Sequence, residues 1–249
     1  MQKILKWTLI IFSIIIALIY AFDIDYVLKG IRVTYLTGNT TAFLSDYKYF
    51  DNRAIEPSAV ARPWAIHKDY NKIEATAKLN SINQERETKA FLVIKNDSII
   101  YEKYFDGYNE NSKSNSFSMA KSIVVTLLGK AIMDGEIKGL DQPVSDFFEE
   151  YKTGFGASLT VGDLASMSSG MKWNEKYYSI INITTESYFS DDLRALILNQ
   201  DIIKTPGDKF RYSSGDTQLL GMIIEKATNS TITDYATNNF TVPMGFESQ

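Results

Sequence analysis

Four consecutive residues, Ser118-Met119-Ala120-Lys121, place a hydroxyl and an amine three positions apart, just before an apolar run, Ile123-Val124-Val125-Thr126-Leu127-Leu128. The run reads as helix, which puts Ser118 in its first turn. Side chains three apart share a helix face, so the hydroxyl and the amine point the same way. A serine hydroxyl is a weak nucleophile until a base removes its proton. An amine becomes such a base where burial or the positive end of a helix dipole disfavours its protonated form. Ser118 and Lys121 are therefore a candidate nucleophile and base within one turn of helix. An isolated match of this kind also describes a serine N-cap followed by a solvated lysine, so the surroundings decide.

The other chemistry-bearing residues narrow the options. None of the 249 residues is cysteine, which excludes disulfides, thiol nucleophiles and thiolate metal sites. The only histidine, His67, lies far upstream in Pro63-Trp64-Ala65-Ile66-His67-Lys68-Asp69, a setting without a catalytic pattern, and is assigned a structural or surface role. One histidine without cysteine does not build a typical zinc site, so neither a metal nor a cofactor is expected. A serine enzyme this short of histidine has to use lysine and tyrosine as bases. A net charge of −4 and the lack of a long basic stretch argue against nucleic acid as a partner. Length and a hydrophobic share of 45% suffice for one sizeable core.

The elements that must position Ser118 follow from periodicity. Ala90-Phe91-Leu92-Val93-Ile94 is a strand, Lys95-Asn96-Asp97-Ser98 a turn, and Ile99-Ile100-Tyr101-Glu102-Lys103-Tyr104-Phe105 the return strand of a hairpin. The helix that starts at Ser118 runs to about Asp134-Gly135. Leu159-Thr160-Val161-Gly162-Asp163-Leu164 opens a short helix with Thr160 as N-cap, and Ser168-Ser169-Gly170 stops it. Helices are expected over residues 191–200, over 217–228 with Asp216 as cap, and over 233–240. Another falls near 70–81, within a stretch, 23–88, whose periodicity is otherwise poor. Strands first and helices later predict an α+β fold, with helices packed on an antiparallel sheet.

Residues 7–22 carry no charge, with Lys3 and Lys6 before them and Asp23 and Asp25 after. They are either a signal peptide or a single membrane anchor. The run is long for a signal core and short for a span of about 20 residues, but Lys6 can snorkel and Ile4 and Leu5 extend it. Its exit, Ile19-Tyr20-Ala21, lacks the small residues that a signal peptidase prefers, which favours an uncleaved anchor using residues 4–22. The lysines place the N-terminus in the cytoplasm and the rest outside the membrane; a cleaved leader would give a secreted protein. Three segments result: 1–22 as anchor or leader, 23–88 as an extracytoplasmic stem wrapping the domain, and 89–249 as the domain itself.

Four segments of that domain, in order, resemble the serine β-lactamase and penicillin-binding-protein superfamily. The likeness is to its class C-like branch, which includes D-alanyl-D-alanine carboxypeptidases, esterases and 6-aminohexanoate-dimer hydrolases. The segments are the hairpin with Tyr104-Phe105-Asp106-Gly107-Tyr108, the stretch Ser116-Phe117-Ser118-Met119-Ala120-Lys121-Ser122, the stretch from Leu159 to Met171, and Pro206-Gly207-Asp208-Lys209-Phe210-Arg211-Tyr212-Ser213-Ser214-Gly215-Asp216-Thr217 with Gln218-Leu219-Leu220-Gly221 after it. The resemblance implies a β-lactamase/transpeptidase-like α+β fold with a helical subdomain. It implies Ser118 as the acylated nucleophile, Lys121 as its base or proton relay, and Tyr212, matching the tyrosine of the Y-x-N motif, as a second base or acid.

Two departures from the family pattern matter. The asparagine of Y-x-N is Ser214 here, a shorter group without the amide's paired donor and acceptor. It is assigned to substrate binding, and its presence disfavours β-lactam recognition while leaving esters and small amides open. The sequence also ends at Gly245-Phe246-Glu247-Ser248-Gln249 without the K-T-G or H-x-G edge strand that supplies the family's second oxyanion donor. A chain lacking that strand is expected to be incomplete and to have little activity, since one such donor accounts for about 10²–10³ in rate. The resulting expectation is a membrane-anchored serine hydrolase acting on esters or small amides through an acyl-enzyme. The alternatives are a cell-wall carboxypeptidase or β-lactamase acting on peptide-like substrates, and a truncated, non-catalytic binder of peptidoglycan or a partner.

Overall fold

The computed structural model describes residues 2–22, 24–177 and 179–247. The expected acidic flank at Asp23 and the final Ser248-Gln249 lie outside the described residues. The chain divides into two compact units. The first comprises residues up to 52 together with 116–235, and the second comprises 53–115 with 236 onward.

The first unit is helical and holds Ser118. Its helices are α1 (Gln2–Ala21), α2 (Tyr26–Val33), α4 (Ala120–Met133), α5 (Val161–Ala165), α6 (Ile183–Phe189), α7 (Leu193–Leu198) and α8 (Ser214–Thr228). The core forms around α8, against which α4, α5 and α7 all pack. That helix buries Leu219, Leu220, Met222, Ile223 and Ile224, so its apolar residues wrap most of its circumference, as a helix packed on several sides requires. Leu127, Leu128 and Ala131 of α4, Val161 and Leu164 of α5, and Ile197 of α7 supply the facing surface, all nearly or fully inaccessible. Gly215 marks a tight approach at the start of α8. A Cβ there would lie 2.6 Å from the Trp173 ring and 2.7 Å from the Met171 sulfur.

A second apolar cluster joins α2 to α6. Tyr26, Val27 and Val33 are buried with Phe189, and Ile24, Phe50, Ile180 and Tyr188 pack around them. Gly30 permits the approach, since a Cβ on it would meet the Phe189 ring at 3.2 Å. Residues 24–52, read from sequence as an irregular stem, thus include a helix with its own core contacts. α1 is apolar, with mean hydropathy 2.3 over Lys3–Ala21 and none of that stretch buried. By length and composition it can cross a membrane, a test that a signal sequence also passes.

The second unit carries the sheet. Strands β2 (Ala90–Lys95) and β3 (Ser98–Tyr104) form the expected antiparallel hairpin. Its two-residue turn, Asn96-Asp97, has both residues at positive φ, the turn geometry that matches the twist of two joined strands. β1 (Ala65–Ile66) adds a short parallel strand on the other side of β3, giving the order β1-β3-β2, so the sheet is mixed rather than purely antiparallel. His67, next after β1, donates its N–H to the Ile99 carbonyl, and its Nδ1 accepts the Asp69 N–H.

Four expected helices are displaced, shortened or broken. Residues 70–76 are not helical; α3 runs Ala77–Glu85 with Thr76 as N-cap. Asn71 sits at φ +52, and its side-chain amide bonds both the N–H and the carbonyl of Glu102 on β3, which holds this stretch along the strand. α7 is shorter than 191–200 because Asp192 caps it at 2.9 Å from the Ala195 N–H. α8 begins three residues earlier than expected, capped by Ser213 rather than Asp216. The expected 233–240 helix is broken into α9 (Ile232–Ala236), a π turn over Thr237–Thr241, and α10 (Val242–Met244). As expected, α5 has Thr160 as N-cap, with Asp163 completing a capping box.

Candidate active site

Ser118 lies in a single 3-10 turn, Phe117–Met119, that leads directly into α4, so it sits just before the helix rather than inside its first turn. Phe117, immediately before it, adopts φ +45, a left-handed conformation uncommon for a bulky side chain. Lys121 is one turn on, and its Nζ donates to Ser118 Oγ at 3.4 Å. The expected spacing therefore delivers the expected contact.

Tyr212 reaches the same oxygen from the other end of the core. Its Oη donates to Ser118 Oγ at 2.7 Å, and Lys121 Nζ lies 5.4 Å from the centre of its ring. Three local devices place it there. The Arg211 N–H bonds the Met167 carbonyl at 2.8 Å. Ser213 caps α8 through the Asp216 N–H at 3.1 Å. Asp216, fully buried, then accepts the Ser213 and Ser169 hydroxyls, each at 2.7 Å on Oδ1, which locks the segment before α8 to the Ser168-Ser169-Gly170 turn. Burial pushes the Asp216 carboxyl up to about 6, against the opposing pull of those hydroxyl bonds.

Ser214 points elsewhere. Its backbone N–H and its hydroxyl both bond Glu175, whose carboxylate also accepts the Trp173 indole N–H at 2.8 Å. Burial would raise Glu175, but the bonds from Ser214, Tyr177 and Trp173 outweigh it and hold the carboxyl below its ordinary value. Ser118, Lys121 and Tyr212 thus converge on one oxygen, while Ser214 braces the neighbouring loop through Glu175. The role of Glu175 was not legible from sequence, where the only signal is an acid between two aromatics in Trp173-Asn174-Glu175-Lys176-Tyr177. Among the described residues, no group of three or more His, Asp or Glu side chains could hold a metal ion.

Ser118 opens on a cleft of about 410 Å³, within the usual range for small-molecule sites. One wall comes from Phe117, Tyr177 and residues of the stretch 179–189. The other comes from Gly30 and the segment that follows α2 as far as Ala42. This second wall was missed from sequence, because it exists only through the packing of α2 on α6.

Comparison with known proteins gives the family and the fold. The Beta-lactamase family model matches residues 71–248, and the chain belongs to that family of serine hydrolases. Protein flp of Staphylococcus aureus (strain COL) is 23% identical over 167 residues, covering 62% of this chain and 33% of that protein. The 6-aminohexanoate-dimer hydrolase of Paenarthrobacter ureafaciens is 25% identical over 158 residues, covering 58% of this chain and 39% of that protein. The chain therefore spans between a third and two-fifths of these relatives. Among solved structures, a Bacillus anthracis protein provisionally described as a 6-aminohexanoate-dimer hydrolase matches with a TM-score of 0.60 at 18% identity, over 83% of this chain and 57% of its own. A class C beta-lactamase matches with a TM-score of 0.51 at 22% identity, over 66% of this chain and 45% of its own. These likenesses define the β-lactamase fold.

Proposed function

We propose that the protein is a serine hydrolase that cleaves esters or small amides through an acyl-enzyme on Ser118. The observation that carries this reading is the convergence of Tyr212 Oη and Lys121 Nζ on Ser118 Oγ, at 2.7 and 3.4 Å. Both groups donate to Oγ in this geometry, so one of them gives up its proton before it can accept the one on Ser118. Oγ then attacks the acyl carbonyl carbon, and its proton moves to that partner. Collapse of the tetrahedral intermediate breaks the bond to the leaving alcohol or amine, which takes the proton. Water repeats the sequence, releasing the carboxylic acid and restoring Ser118. Ser214, in the place of the family asparagine, is held by Glu175, so in this reading it positions the loop beside Tyr212 rather than touching substrate.

Amides remain within this reading because one relative is named for hydrolysis of the 6-aminohexanoate dimer. The apolar helix α1, with Lys3 and Lys6 in its first two turns, is taken as an uncleaved anchor with the domain on the outer side of the membrane. The test is turnover. The natural protein should hydrolyse p-nitrophenyl butyrate, and Ser118→Ala should reduce that rate to background. Equal rates for the two proteins would refute the proposal.

A further inference from the structure

The cleft beside Ser118 has an unusual lining for a protein in which charged residues make up 22% of the sequence. Among its described lining residues there is no lysine, arginine, aspartate, glutamate or histidine. Away from the Ser118 end, where Lys121 stands, a substrate whose recognition depends on a carboxylate or an ammonium group finds no counter-charge among these residues, and burying such a group unpaired is costly.

Hydroxyls are plentiful in the lining, and five of them have their protons engaged within the protein. Thr34 Oγ1 donates to the Gly30 carbonyl, Ser179 Oγ to Ile181 at 3.0 Å, Thr184 Oγ1 to Asn174 at 2.9 Å and Thr185 Oγ1 to Ser179 at 2.8 Å. Tyr188 Oη donates to Asp46 Oδ2 at 2.9 Å. What these side chains turn toward the cleft is therefore largely methyl and ring carbon, continuous with Ala42, Ile180 and Phe189.

We propose that this cleft is an acyl-chain site. On the hydrolase reading above, the ester carbonyl lies at Ser118 Oγ and an uncharged, unbranched acyl chain runs from it between α6 and the segment 34–42. A volume of about 410 Å³ corresponds to roughly thirteen groups of about 30 Å³, the share of one water and close to that of a methylene, so a chain of up to about ten carbons fits. The acyl group that transfers to Ser118 is then the part of the substrate that is recognised, and the alcohol leaves from the open side. Binding energy from the chain is available to the transition state, so it appears in kcat/KM.

Two measurements on the natural protein test this. The first is kcat/KM for p-nitrophenyl esters from acetate to dodecanoate. Burial of each methylene should raise it by up to about fourfold until the cleft is full, giving at least a hundredfold rise from acetate to octanoate and a plateau near decanoate. A flat or falling profile overturns the proposal. The second uses Ser118→Ala protein, which cannot turn over, with octanamide and acetamide as probes in calorimetry. Octanamide should bind and acetamide should not, and Ala42→Trp, which fills the cleft, should abolish octanamide binding while the circular dichroism spectrum stays native. If Ala42→Trp does not fold, Thr41→Trp serves the same purpose. Octanamide binding without any Ser118-dependent turnover would leave the acyl site standing and refute the hydrolase reading. Ser118-dependent turnover with neither chain-length preference nor octanamide binding would do the reverse.

Discussion

The buried carboxyl of Asp216 makes a sharp demand on the pH dependence of stability. Asp216 has no accessible surface, and its Oδ2 has no hydrogen-bond partner among the described residues. Its Oδ1 is bonded by two hydroxyls, and neither is a cation. Burial raises its value from 3.8 to about 6. The folded state therefore holds this proton more tightly than the unfolded chain. The stabilisation is complete below pH 3.8 and is lost as the pH rises through about 6. The full difference corresponds to about 3 kcal/mol. Between pH 7 and pH 5 the protonation of Asp216 alone adds about 1.3 kcal/mol, which for a chain of this size is about 3–5 °C in Tm. Other carboxylates act in the opposite sense. Asp134 and Glu149 are lowered by their hydrogen bonds to Lys130 and Lys152, and Glu175 is lowered by its bonds to Ser214, Tyr177 and Trp173. The informative quantity is therefore the difference between the parent and Asp216→Asn, which keeps an acceptor for Ser169 and Ser213 but cannot titrate. Urea denaturation at pH 5 and pH 7 should show the variant gaining about 1.3 kcal/mol on the parent as the pH rises. Parallel pH profiles for the two proteins would refute the claim that Asp216 is buried with a raised pKa.

Three further outcomes are expected. Tyr212→Phe removes the donor at 2.7 Å from Ser118 Oγ and should slow acylation about 10²–10⁴-fold without lowering Tm, since the residue is 38% exposed; an unchanged rate would exclude Tyr212 from proton transfer. Gly215→Ala drives a methyl into Trp173 and Met171 and should cost about 1–3 kcal/mol in urea denaturation, and a neutral result would show that α8 can shift. A reporter active only after export, fused after Asp25, should be active in cells, and activity of a cytoplasm-dependent reporter at that junction would reverse the proposed orientation.

Local signals in the sequence proved accurate where one short stretch carries its own physical cause. The hairpin, with Asn96-Asp97 at the turn, α4 from its apolar run, and α5 from Thr160 and Asp163 all depend on neighbours a few residues away. The fold family and the meeting of Ser118, Lys121 and Tyr212 followed from four ordered segments. Failures came where two local signals compete or where distance matters. Ser213 and Asp216 both satisfy cap preferences, and the first won because its hydroxyl also bonds the Asp216 carboxylate, which moved the start of α8 by three residues. Asn71 left its expected helix to bond β3, a partner 31 positions away. The wall formed by α2 was illegible because its apolar residues, Tyr26, Val27 and Val33, make a face only against Phe189, far along the chain.

The central claim is that Ser118 is the acylated residue. The most direct measurement treats the natural protein with a fluorophosphonate and maps the adduct by peptide mass spectrometry. The account predicts one modified serine, Ser118, with labelling abolished in Ser118→Ala and strongly slowed in Tyr212→Phe. Modification of a different serine, or undiminished labelling of Ser118→Ala, would contradict it.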